Sequence, residues 1–119
     1  MAGHRLERVT EDAHREIADI LREMKDPRVN GMITVVKVNV SGDLSIVTVY
    51  ISALSGIEAA KEAVAVLKKA GGFVRTELGK RLKIRKTPEL RFVADDSILL
   101  SAKIAQIMKS EDFSRNDGE

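Results

Sequence analysis

The chain reads as a single α+β domain: a three-stranded sheet packed on helices, with a kinked, glycine-containing helix pair. Three observations predict this. Apolar residues recur at three- and four-residue steps over 5–24 and again over 57–82, as helices with one buried face require. Between them, 32–40 and 44–52 are rich in β-branched residues, which suit a pleated, half-buried strand. A chain of 119 residues that is 44% hydrophobic holds one modest core, not comfortably two.

The first helix is expected over 5–24, its apolar face made by Leu6, Val9, Ala13, Ile17, Ile20, Leu21 and Met24. Thr10, with Ala13 three positions on, would be a poorer start. Asp26-Pro27-Arg28 ends the helix, because proline lacks a donor and restricts the residue before it. In the first strand, 32–40, Val36, Val38 and Val40 alternate with Lys37 and Asn39. Ser41-Gly42-Asp43 is a tight turn in which Gly42 is free to take positive φ. The second strand, 44–52, turns Ile46 and Thr48 to one face and Val47 and Val49 to the other.

Ser55-Gly56 breaks that strand, and a helix follows from Ile57 to Ala70 on the stripe Ile57, Ala60, Val64 and Leu67. Gly71-Gly72 interrupts it, since each glycine costs about 1 kcal/mol relative to alanine inside a helix. Val74, Leu78 and Leu82 resume the helical spacing, with Phe73 beside them, until Thr87-Pro88. Leu90–Val93 is a short third strand. Asp96 before Ser97 reads as a cap, and Leu100, Ile104, Ile107 and Met108 suggest a last helix. From Ser110 the chain is polar, a tail expected to fray.

Catalytic signatures do not appear. There is no cysteine, which excludes disulfides, thiolate metal sites and a thiol nucleophile. His4 and His14, ten residues apart, lie about 15 Å apart on a helix and cannot share a metal; a solvated face accounts for them. Adjacent Asp95 and Asp96 point opposite ways in extended backbone and do not converge. No phosphate-binding loop or dinucleotide fingerprint is present. The first residues lack the apolar core of a secretory signal, and no stretch reaches membrane-spanning length. The chain is therefore expected to be a non-enzyme without cofactor or metal, monomeric and cytoplasmic.

Charge is the informative feature. Net charge is only +2, yet residues 68–91 hold nine Lys or Arg against Glu77 and Glu89. Such asymmetry points to a polyanion, nucleic acid before membrane or acidic protein. The candidate contacts are Lys68, Lys69, Arg75, Lys80, Arg81, Lys83, Arg85, Lys86 and Arg91, reaching phosphates rather than base edges. At Gly71 and Gly72 a bare backbone can approach a sugar-phosphate chain, beside the first amides of the next helix. Arg75 is placed to flank the buried stripe, and Lys83, Arg85 and Lys86 fall where the helix unwinds. With only Tyr50, Phe73, Phe92 and Phe113 aromatic, a multi-base stacking platform is disfavoured.

These residues carry a resemblance. Asp26-Pro27-Arg28, Val40-Ser41-Gly42-Asp43-Leu44, and the run from Gly72-Phe73-Val74-Arg75 through Leu78-Gly79-Lys80-Arg81-Leu82 are its first marks. Arg85-Lys86-Thr87-Pro88-Glu89-Leu90-Arg91-Phe92 and Asp95-Asp96-Ser97-Ile98 complete it. Each is weak alone; in this order and spacing they closely resemble the bacterial ribosome-binding factor A family over about residues 5–108, leaving 109–119 as a polar tail. The resemblance implies a KH-like domain of the type II arrangement, with an Ala-x-Gly kink at Ala70-Gly71-Gly72 in place of the usual GxxG loop. Leu67 stands three residues before the kink, and the kink's middle position is itself glycine here. The resemblance also implies a non-catalytic assembly factor that binds the free small (30S) ribosomal subunit and its 16S ribosomal RNA, assists late maturation and processing of that RNA, and supports growth in the cold. The alternatives are a general KH-like RNA chaperone, a protein-binding adaptor, and a hydrolase built on Asp43, Asp95 or Asp96. Whether Arg5, Arg8 and Arg15 join the RNA surface is open from sequence.

Overall fold

The computed structural model describes residues 2–29, 33–97 and 106. In chain order its elements are α1 (Ala2–Glu23), β1 (Ile33–Val40), β2 (Ile46–Ala53), α2 (Ile57–Lys69), α3 (Gly71–Leu82) and β3 (Glu89–Ala94). The helix expected around Leu100, Ile104, Ile107 and Met108, and the tail beyond it, lie outside the described residues.

α1 forms on the face read from its sequence: Ala13, Ile17, Ile20 and Leu21 are buried, with Leu6, Val9 and Met24 packed at the margin. Thr10 is interior to the helix, not its start, and its hydroxyl donates back to the Leu6 carbonyl at 2.7 Å. After Glu23 the chain turns on Asp26, whose carboxylate accepts from the Arg28 amide (2.9 Å) and whose carbonyl accepts from the Val29 amide (2.9 Å). The turn drives Val29 into the core.

The sheet order is β1-β2-β3, with β1 antiparallel and β3 parallel to central β2. A parallel neighbour needs a long crossover; α2 and α3 supply it. α1 packs on β1 and α3, and α2 packs on β2 and β3. The face they cover carries Val47, Val49, Ile51 and Phe92; the opposite face shows Lys37, Asn39 and Arg91.

β1 departs from simple alternation. Val35 pairs with Ile51 and Lys37 with Tyr50, so Val36 is the extra residue of a bulge. The bulge resets the phase: Val35, Val38 and Val40 are buried and Val36 is not. His14 accounts for part of this local geometry. Its Nε2 lies 3.0 Å from the Val35 carbonyl, clipping α1 to the bulge where sequence suggested only a solvated histidine.

The hairpin turn also differs in detail. Leu44, not Gly42, takes the left-handed backbone, at φ 62°. Asp43 holds the turn through one oxygen, which accepts from the Ser41 hydroxyl, the Ser45 hydroxyl and the Ser45 amide at 2.7–3.1 Å.

α3 runs beside the loop that leads to β3, and Gly79 sets their separation. A β-carbon there would lie 2.5 Å from Thr87 Oγ1. Gly79→Ala is expected to destabilise the fold by about 1 kcal/mol or more, because overpacking outweighs the gain in helix propensity. In urea denaturation, adding Thr87→Ala should restore part of the loss. Strictly additive effects would mean that Thr87 does not oppose the methyl group.

Candidate nucleic-acid interface

The helix interruption is a single residue. Ala70 leaves the helical range (φ −92°, ψ 11°), and Gly71 and Gly72 are the first residues of α3 rather than the break itself. Bonds from the Ala70 amide to the Val66 carbonyl (3.0 Å) and from the Val74 amide to the Ala70 carbonyl (3.1 Å) tie the two helices together. Neither Gly71 nor Gly72 has positive φ, and a β-carbon on either would meet nothing within 4 Å. The fold's own packing therefore does not demand these glycines. What their absent side chains leave is bare backbone on the outside, at a helix start whose first amides lack intrahelical acceptors.

This junction faces β3 across a groove of about 380 Å³ lined by Lys68, Gly71, Leu90, Arg91, Phe92 and Val93. Val93 on its wall is 39% exposed, and Phe73, in the first turn of α3, is 50% exposed. Among the described residues these are two of the three large apolar side chains left exposed. Composition gave no sign that they would flank the helix junction and the sheet edge.

The basic residues fall into two sorts. Arg81 is the most engaged: its guanidinium contacts Glu23 at 2.5 Å, Glu77 at 3.7 Å and Glu16 at 3.9 Å, pinning α3 to α1. The Glu23 hydrogen bond raises its pKa above the usual guanidinium value. Arg75 donates to the Thr87 carbonyl (3.0 Å), Lys80 pairs with Glu77 (3.4 Å) and Arg91 with Glu89 (3.0 Å). By contrast, Lys68, Lys69, Lys83, Arg85 and Lys86 are exposed and have no ion-pair partner among the described residues. Lys68 and Lys69 end α2; Lys68 lines the groove, and Lys69 turns to a neighbouring depression with Asp26, Arg28 and Glu62. Lys83, Arg85 and Lys86 sit at the other end of α3, around a second cleft.

Within α3, the Glu77 partner of Lys80 and Arg81 stands three and four residues away and was legible in sequence. Glu23 is 58 residues from Arg81 and was not. Of the first-helix arginines, Arg15 pairs with Asp12 (3.0 Å) and Glu16 (3.5 Å), whereas Arg5 is exposed on the rim of the second cleft.

Two of the three carboxylates suggested as hydrolytic groups, Asp43 and Asp95, have structural work. Asp95, rather than Asp96, accepts from the Ser97 amide at 2.6 Å, and hydrogen bonds from the Ser97 hydroxyl and amide lower its pKa. Hydrogen bonds from Ser45 and Ser41 bring Asp43 down to about 2. A carboxyl whose folded pKa lies below its unfolded value near 4 adds stability above pH ~4 and loses that contribution as pH falls through ~2. Asp43→Asn should flatten the decline of stability over that window, measured as thermal midpoints from pH ~5 to ~2.

Among the described residues, no group of three or more His, Asp or Glu could hold a metal ion, and no helix is long and apolar enough to cross a membrane. The site is a cationic surface around an exposed backbone kink and a strand edge. The domain that carries it is a small α+β fold, and its charge is complementary to a polyanion.

Comparison with known proteins gives the family. The family model described as ribosome-binding factor A matches residues 5–108, and the chain belongs to this family. It is 42% identical to ribosome-binding factor A of Desulfitobacterium hafniense strain DCB-2, over all of this chain and 97% of that one. With the Heliobacterium modesticaldum protein identity is 46%, over 91% and 89% of the two chains. Among solved structures, ribosome-binding factor A of Thermus thermophilus matches at TM-score 0.67 and 27% identity, over 75% of this chain and 93% of that one. A homology model of Thermus thermophilus ribosome-binding factor A, fitted into the cryo-EM map of a 30S–ribosome-binding factor A complex, matches at TM-score 0.60 and 27% identity, over 72% and 90%.

Proposed function

We propose that this protein binds the free small ribosomal subunit and its 16S ribosomal RNA through the junction of α2 and α3 and the adjoining edge of β3. As a member of the ribosome-binding factor A family it is a non-catalytic ribosome assembly factor that acts in maturation of the small subunit. The observation that carries the proposed contact is the conjunction at one groove of Lys68, without an ion-pair partner among the described residues, bare backbone at Gly71, and Arg91 on the strand edge, with Lys69 and Gly72 next to them along the chain. The fitted 30S complex of the Thermus relative supports the same partner here.

In this reading residues 5–108 are a KH-like domain of type II arrangement, with Ala70-Gly71-Gly72 as the kink that meets the RNA backbone. Lys83, Arg85 and Lys86 extend the cationic surface. Arg75 and Arg81 also fix α3, through the Thr87 carbonyl and through Glu16, Glu23 and Glu77, and together with Lys80 they retain further N–H donors for phosphate. The factor works as a monomer in the cytoplasm, and 109–119 form a polar tail. Binding favours one conformation of immature RNA over others, which is a population shift. Cold tightens competing RNA structures, so the role is most needed at low temperature.

Co-sedimentation with small subunits, large subunits and 70S ribosomes, titrated with salt, tests this. Saturable binding to free small subunits that weakens as salt rises is expected. Equal binding to every particle and to free RNA would reduce the protein to a general RNA binder.

A further inference from the structure

A second cleft, of about 530 Å³, lies between the N-terminal part of α1, the β1–β2 turn and the α3–β3 loop. Its floor is apolar, with Val9, Ala13, Val40, Val47 and Leu82. Around it stand Arg5, Lys83, Arg85 and Lys86, all exposed and none in an ion pair among the described residues. One carboxylate, Asp43, also lines it. The cleft lies at the opposite end of α3 from the kink and shares no lining residue with the groove there.

We infer that this cleft receives an extruded nucleotide of single-stranded RNA, its base on the apolar floor and its phosphates on the cationic rim, with Asp43 accepting from the base's amino group. The inference rests on the RNA-binding reading above and adds to it a second contact with base preference. A nucleotide matches the site because it too is amphipathic, with a flat base carrying polar edges beside an anionic backbone. Asp43 decides between this and an acidic peptide. Its Oδ1 is taken by Ser41 and Ser45, which fix the group in place. None of these three bonds uses Oδ2. A fixed carboxylate repels the carboxylates of a peptide but accepts from cytosine N4 or adenine N6.

The backbone points the same way. Leu44 (φ 62°) and Lys83 (φ 54°) are the two non-glycine residues with left-handed backbone among those described, and both line this cleft. Glycine would fit either conformation at lower cost. Each position keeps a side chain at the cleft instead.

The test is a ¹⁵N–¹H NMR titration of the full chain with single-stranded hexamers of cytidine, adenosine and uridine. Cytidine and adenosine hexamers should shift the amides of Leu44, Ser45 and Lys83–Thr87 and bind there about tenfold more tightly than uridine, the factor made by one hydrogen bond to a charged group. Asp43→Asn should abolish that preference. Arg85→Glu with Lys86→Glu, both exposed and unpaired, should erase the cleft shifts while those at Lys68–Phe73 and Leu90–Val93 persist. RNA shifts confined to the latter segments would overturn the inference and leave the kink contact standing. Equal binding of all three hexamers to native and Asp43→Asn protein would overturn the base contact. Cleft shifts given by a poly-glutamate decamer and not by RNA would assign the cleft to protein instead. Shifts at neither surface, with no binding to small subunits, would sink the RNA reading itself.

Discussion

Leu78→Ala is expected to lower the unfolding free energy by about 2–5 kcal/mol, while Leu54→Ala changes it by no more than about 0.5 kcal/mol. The same side chain is removed in both cases, so the environment makes the difference. Leu78 is fully buried on the inner face of α3, within the cluster that includes Ile17, Val49, Leu67 and Val74. Its truncation loses transfer free energy and leaves a cavity in a rigid lattice of β-branched neighbours. Leu54 follows β2 and is 65% exposed, so water replaces what alanine removes. Urea denaturation should show the contrast in midpoint at constant slope. A loss near 0.5 kcal/mol at Leu78 would mean that α3 does not close the core.

The largest effect on binding is expected from Lys68→Glu with Lys69→Glu. Affinity for the small subunit should fall by about 10²-fold near 0.15 M salt, roughly tenfold for each phosphate no longer neutralised. The slope of log affinity against log salt should become shallower by about one unit per lysine. Stability should fall only modestly, by about 1–2 kcal/mol, because both side chains are exposed without an ion-pair partner among the described residues and only their favourable position in the last turn of α2 is reversed. Arg81→Glu makes the informative contrast. It would place a carboxylate against Glu16, Glu23 and Glu77 and loosen α3 from α1, so its damage should appear in the melting curve. Unchanged subunit binding by the double lysine variant would remove the junction groove from the interface.

Periodicity was enough for the architecture, because burying one face of a helix or strand is a local demand on sequence. The faces of α1, α2 and α3 were all readable for that reason. What periodicity could not supply were pairings across space. The bulge at Val36 breaks strand phase only when β1 meets β2, and His14 finds its carbonyl only in the folded chain. Leu44 rather than Gly42 takes left-handed backbone because the Asp43–serine hydrogen bonds fix the turn two residues later. At the candidate site, the basic run was plain, but it read as one strip. Folding sorts it by partner: Glu23 claims Arg81 from far along the chain, and the Thr87 carbonyl claims Arg75. The two separate groups of unpaired cations that remain had no signature in composition.

The mixed sheet orders assembly in time. β2 acquires β1 through a tight local turn, but β3 joins only after the whole α2–α3 crossover has closed, a far larger loss of chain entropy. The hairpin belongs to the early, local part of folding, and β3 to the late, long-range part. The groove at the helix junction needs β3 for one wall. A nascent or partly folded chain therefore carries its lysines without the shaped surface that presents them, and competence for the groove arrives with the last strand.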